Sequence, residues 1–198
     1  LPGLVVDRFA DTAVMQTLGY GMDLRKELLA DLLLQEGGVR RVYLRNDAKS
    51  RSLEGLPLFK GFVRGAGETT VEIREGQARF LVDFAEGQKT GWFCDQRDNR
   101  LAAAALAKGA AVLEVFSHTG AFGIQAALHG AVSVEGLDVS AAAVKTAEAH
   151  AAMNGVEFRC RFRQADAFDE LRALERDARR YRLIILDPPA FARSKQAV

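Results

Sequence analysis

Apolar and polar residues change rhythm along this chain. Residues 1–85 hold short alternating segments around a glycine-rich middle, whereas residues 95–198 alternate alanine-rich helical stretches with short apolar runs. In the first part, LVVDRF (4–9) and TAVMQTL (12–18) predict a hairpin about Ala10–Asp11. MDLRKELLADLLLQ (22–35) puts Leu24, Leu28, Leu29, Leu32 and Leu33 at helical spacing, and Gly37–Gly38 ends it. RVYLR (41–45) predicts a strand, and 46–68 is mostly loop. TVEIREGQARFLVDF (70–84) alternates, turns at Glu75–Gly76 and alternates again, the pattern of a hairpin.

The second part reads as a repeating strand and helix. DQRDNRLAAAALAKG (95–109) predicts a helix with Asp95 as N-cap and Gly109 just past its end. AVLEVF (111–116) predicts a buried strand, AFGIQAALHG (121–130) a helix, and VSVEGLD (132–138) a strand. SAAAVKTAEAHAAMNG (140–155) predicts a helix capped by Ser140. VEFRCRFRQAD (156–166) predicts a strand with outward Arg159, Arg161 and Arg163; a helix at 167–180 and the strand YRLIILD (181–187) follow. The expected fold class is α/β: a Rossmann-like, doubly wound parallel sheet over 89–198, preceded by a small α+β domain over 1–88. The first domain reads as a packing and positioning module.

Composition narrows the setting. With 48% hydrophobic and 27% charged residues the chain is balanced like a globular protein. No run of about 18 apolar residues predicts a membrane span, and no basic-then-apolar leader is visible. Two cysteines, Cys94 and Cys160, lack metal-ligand spacing and form no disulfide framework, so a cytoplasmic location and no metal are expected. The net charge of +1 speaks neither for nor against nucleic acid.

The strand ends carry the chemistry. Ligands of such sheets bind beyond the carboxyl ends of the strands, and here those ends are Ser117–Gly120, Asp138, Asp166 and Asp187. VLEVFSHTGAFG (112–123) lacks the G-x-G-x-x-G spacing with which backbone amides close on a pyrophosphate. It suits an adenosyl ligand without pyrophosphate, such as S-adenosyl-L-methionine. A sulfonium cation would favour Glu114 or Asp187 and the ring faces of Phe93, Phe116 or Phe191 as neighbours. Glu114 alternatively reads as a satisfied buried carboxylate. Asp138 is the candidate acceptor for the ribose hydroxyls. Asp166 is a candidate for the adenine amino group, for the cap of the helix at 167, or for both. In DPPAF (187–191) two prolines fix the backbone and remove two amide donors. Asp187, Pro188 and Pro189 can then face a planar base on which Phe191 stacks.

TGWFCDQRDNR (90–100), EVFSHTGAFG (114–123), GLDVS (136–140), QADAF (164–168) and DPPAFARSK (187–195) together resemble a family of class I S-adenosylmethionine-dependent RNA methyltransferases. It is the ribosomal RNA large subunit methyltransferase I group, which modifies cytosine C5 of 23S ribosomal RNA; the K-type guanosine methyltransferases are its neighbours. LPGLVVDRFAD (1–11) resembles the segment that follows the N-terminal PUA domain of that group. The resemblance implies that Thr90, Phe93, Asp95, Gln96 and Arg97 wrap the cofactor. It further assigns Phe116, Ser117, Thr119 and Gly120 to the cofactor loop, Asp138 with Val139 to the ribose, Asp166 with Ala167 to the adenine side, and Asp187 to Phe191 to the base. His118 stands where the family commonly has tyrosine, and Cys94 where it has leucine.

The implied partners are 23S ribosomal RNA and no membrane, with a homodimer as the candidate assembly. The resemblance also implies a PUA domain before residue 1 and further strands after the fourth. The chain therefore reads as a fragment of a longer protein, inactive alone, with its catalytic nucleophile elsewhere. Cytosine C5 methylation needs a thiolate at C6; Cys160 reads as a core residue, and Cys94 lies away from the base-facing motif. No histidine is assigned to catalysis. The arginine-rich span 159–182 is interleaved with acids and reads as solvated surface, whereas Arg193 and Lys195 are phosphate candidates. The competing classes are a guanosine methyltransferase, a non-catalytic RNA-binding module and a dinucleotide-dependent oxidoreductase. The missing pyrophosphate glycines and the DPPAF motif disfavour the last.

Overall fold

The computed structural model describes residues 2–189. They form two units, residues 2–73 with Leu81–Asp95 and Arg74–Phe80 with residues 96–189. Among the described residues no helix is long and apolar enough to cross a membrane.

The first unit holds a sheet ordered β1-β2-β3-β4, with β1 at Leu4–Phe9, β2 at Thr12–Thr17, β3 at Arg41–Asn46 and β4 at Phe59–Arg64. β1 and β2 form the expected hairpin, and β2 runs parallel to β3. The crossover between them carries α1 (Tyr20–Asp23) and α2 (Lys26–Glu36). This corrects the single helix expected over 22–35. Of its leucines, Leu29 and Leu33, joined by Leu34, pack on the core of Ala13, Met15, Ala30, Val39, Val42 and Leu44. Leu24, Leu28 and Leu32 stay exposed. β4, antiparallel to β3, replaces part of the loop expected at 46–68. Its residues are half-buried or exposed, so alternation did not mark it.

Arg45 fixes the stretch that leaves this unit. Its Nη1 donates to the carbonyls of Phe84 (2.7 Å) and Gly87 (2.9 Å), while Asp83 Oδ1 accepts from the N–H of Ala85 and of Glu86. β5 (Thr70–Glu75) and β6 (Ala78–Asp83) are the predicted hairpin, its turn one residue later than expected, at Gly76–Gln77.

The second unit is the α/β body. Its strands are β7 (Ala111–Val115), β8 (Ser133–Asp138), β9 (Cys160–Gln164) and β10 (Leu183–Leu186), all parallel, in the order β10-β7-β8-β9. The helices are α3 (Arg97–Ala105), α4 (Ala121–Leu128), α5 (Ala141–Met153) and α6 (Ala167–Arg176). One sheet face buries Leu113, Val115 and Leu137 against Ala167, Leu171 and Leu174 of α6. On the other face Gly123 of α4 meets Glu114 and Val134.

Two local expectations are corrected. Asp95 does not cap α3: its carboxylate takes the Lys89 ammonium at 3.0 Å, and the residue before the helix is Gln96, with no side-chain cap bond. β9 begins at Cys160 and not at 156, because Val156–Arg159 make a turn in which the Arg159 N–H donates to the Val156 carbonyl.

Candidate functional site

The strand order itself locates a crevice. From β7 the chain steps to β8 and β9, then returns to lay β10 on the other side of β7. That reversal is the topological switch point at which open α/β sheets bind ligands. The loops after β7 and β10 flank it, and the ends of β8 and β9 continue the rim for about two further strand spacings of ~4.8 Å. Phe116, Ser117, Thr119, Gly120, Asp138, Val139, Asp166, Ala167, Asp187, Pro188 and Pro189 all lie along this rim. Phe191, Arg193 and Lys195 fall outside the described residues.

The loop after β7 is wound tightly. Phe116 (φ 63°) and His118 (φ 47°) take left-handed conformations that L-residues adopt at a cost. Gly120 (φ 76°) opens α4 where any Cβ would meet Phe162 and Ala147 within 3 Å. The Asp138 carboxylate ties the loop down: Oδ2 accepts the His118 main-chain N–H (2.7 Å), and Oδ1 accepts the Ser140 N–H (2.9 Å). The contact at position 118 is thus made by backbone, and the histidine-for-tyrosine departure leaves it intact. A carboxylate offers about four acceptor sites, so two remain for hydroxyl donors. The Ser117 hydroxyl is buried with no hydrogen-bond partner among the described residues.

Beneath the loop Glu114 is buried, and its Oε2 accepts the Gly123 N–H at 2.9 Å. Burial pushes its carboxyl up to about 8, and the N–H donors of Gly123 and Phe122 offset only part of that. Asp187 is exposed, with Gln96 Nε2 at 3.4 Å from its Oδ2. Of the two acids named as neighbours of a cation, Asp187 is the one open to solvent. Asp166 caps α6, its Oδ1 accepting from Phe168 N (2.9 Å) and Asp169 N (3.1 Å). Val139 is exposed and Ala167 buried.

The segment 90–97 passes from one unit to the other. In the first unit Thr90 is buried, its hydroxyl donating to Asp7 Oδ2 at 2.5 Å. The Lys89 ammonium lies 4.4 Å from the centroid of the half-buried Phe93 ring, besides pairing with Asp95. Arg97 opens α3 and is exposed.

A family model for S-adenosylmethionine-dependent methyltransferases matches residues 58–198. The chain belongs to that family. It is 39% identical over 197 residues to the ribosomal RNA large subunit methyltransferase I of Shewanella amazonensis, covering 98% of this chain and 50% of that protein. The same name and the same figures hold for its counterpart in Shewanella denitrificans. Among solved structures, the SMU.776 protein complexed with SAH superposes with a TM-score of 0.82 at 26% identity, covering 99% of this chain and 50% of that one. The chain thus spans about half the length of the curated relatives it matches.

The residues present fit the family's cofactor. The loop lacks the G-x-G-x-x-G glycine spacing that a pyrophosphate needs. Asp138 keeps acceptor sites for a ribose diol, and the orphaned Ser117 hydroxyl is a polar group awaiting a partner. Among the described residues no cluster of His, Cys, Asp or Glu could hold a metal ion.

Proposed function

We propose that this chain serves the S-adenosylmethionine-dependent methylation of large-subunit ribosomal RNA, with cytosine C5 as the target atom. One observation carries the cofactor part: the loop after β7 is held by the carboxylate that ends β8, at the switch point of a parallel sheet. The RNA part rests on the 39% identity to two relatives named for it. The cofactor would supply an electrophilic methyl group. Asp138 and Val139 would hold its ribose, Ser117 to Gly120 its amino-acid moiety, and Asp166 with Ala167 the adenine. The family resemblance implies a cofactor role for Thr90, Phe93, Asp95, Gln96 and Arg97 as well. Pro188 and Pro189 carry carbonyls but no N–H, so the stretch after β10 accepts hydrogen bonds from a base and offers few in return.

A guanosine nitrogen is the alternative target. The Cys160 thiol is half-buried, and burial pushes it up to about 12, so it is no thiolate at neutral pH. Cys94 is exposed. Methylation of a guanosine nitrogen needs no protein thiolate and would be indifferent to both.

Calorimetry with S-adenosylhomocysteine and NAD side by side tests the cofactor assignment. Binding of S-adenosylhomocysteine, no NAD binding, and a loss of about tenfold or more in D138A are expected. Equal NAD binding, or an unchanged D138A, would reject it. Nucleoside mass spectrometry of 23S ribosomal RNA from cells lacking the gene then separates the targets: loss of 5-methylcytidine supports the first reading, loss of a methylguanosine the second.

A further inference from the structure

His150 lies in the last turn of α5, on the face that also buries Ala143, Val144, Ala147 and Ala151, and it is buried to 1% exposure. Its Nδ1 is 3.1 Å from the carbonyl oxygen of Thr119. A carbonyl only accepts, so Nδ1 carries the proton in that bond. The ring also meets Phe80, on β6, edge to face at 5.3 Å between centroids. Phe80 belongs to the hairpin tip Arg74–Phe80, which is fastened within the same unit: Asn154, one turn beyond His150, exchanges two hydrogen bonds with the main chain of Arg79, at 2.8 and 2.7 Å.

The Thr119 carbonyl matters because it belongs to a peptide plane of the loop itself. In a trans peptide the carbonyl and the next N–H point in opposite directions. With the Thr119 oxygen turned to His150, the Gly120 N–H is turned to the Ser117 carbonyl, which it meets at 2.8 Å. The imidazole bond and the Gly120 N–H bond together fix the 119–120 plane from its two sides, in a loop where Phe116, His118 and Gly120 all have positive φ. Asp138 holds the loop from one side by the His118 N–H, and His150 holds it from the other.

We propose that His150 is a positioning residue for cofactor binding: by hydrogen-bonding the Thr119 carbonyl it holds the loop 117–120 in its receptive conformation, and through Phe80 it ties that loop to the hairpin tip. The proposal rests on the cofactor assignment above.

The test is S-adenosylhomocysteine affinity of the full-length protein, with melting temperatures as a check on folding. H150N keeps a donor near the Nδ1 position and loses the ring. H150F keeps an aromatic ring against Phe80 and loses the donor. If His150 positions the loop, H150F loses about tenfold or more in affinity while H150N stays closer to wild type. A merely packing histidine gives the opposite order, since the apolar ring fills the site better than the short amide. H150L, apolar without a ring, repeats the comparison if H150F does not fold. Binding by the wild type with H150F equal to or better than H150N overturns this proposal alone. No binding by the wild type overturns the cofactor assignment and this proposal with it.

Discussion

Glu114 is a carboxylate whose environment favours its proton. Burial raises its pKa to about 8 from an ordinary 4.5, so the folded state binds a proton that the unfolded chain releases. Its contribution to stability is fully present below pH 4.5 and is lost as pH rises through 8, with a total on the order of a few kcal/mol. Urea midpoints of the cofactor-free protein should therefore fall between pH 5 and 8. E114Q, which keeps an acceptor for the Gly123 N–H and cannot ionise, should flatten that part of the profile. A wild-type profile as flat as that of E114Q would refute the assignment. The sequence showed Glu114 as an acid closing an apolar strand, and left open whether it faced the ligand or the core. Only the packing of α4 over it decides, because Gly123 approaches where a side chain would collide with its Oε2.

Elements were legible where a local signal had no competitor. Ser140 caps α5 as expected, its Oγ accepting the Ala143 N–H, and Asp166 caps α6. Asp95 carried the same signal but is taken by Lys89, six residues away, an ion pair that helix rules do not contain. β4 was illegible for a different reason: FKGFVR is half exposed, so neither alternation nor a continuous apolar run marks it. The Asp166 cap gives a prediction that separates two roles. D166A should lower stability by about 1 kcal/mol in urea titrations, and D166N, which keeps the acceptor oxygen, should recover most of it. If the acid also binds the adenine amino group, S-adenosylhomocysteine affinity should fall in D166A even at temperatures where both variants are fully folded. An unchanged affinity would confine Asp166 to the helix.

At the scale of the whole chain, the alternating runs after residue 95 made the parallel sheet readable, because strands buried on both faces are continuous apolar stretches. Nothing in the alternation of 70–84 says which unit its turn joins. That is decided by residues remote in sequence: Arg100 holds the Glu75 carboxylate at 2.8 and 2.5 Å, and Gln125 Nε2 donates to the Glu75 carbonyl. Arg100 and Glu75 are both buried. Removing one partner strands a charge, so R100L should cost about 3–5 kcal/mol, and the double variant R100L/E75L should regain much of that. Chemical denaturation of R100L, E75L and the double variant measures it; additive losses would show that the pair is not coupled.

Phe162 of β9 fills the hollow that two glycines leave. A side chain at Gly136 would run into its ring, and one at Gly120 would meet it at 2.6 Å. The three positions come from a loop and two neighbouring strands, yet they form a single volume. Descent can then alter them only in a fixed sequence: the aromatic ring must shrink before Gly136 grows. Lineages of this family should carry glycine at 136 whenever 162 is aromatic, and a lineage holding alanine at 136 should show a lesser side chain at 162; position 120, held also by Ala147 and its positive φ, should stay glycine throughout. The history of position 136 is in this sense written in the bulk of a residue that faces away from solvent beside it.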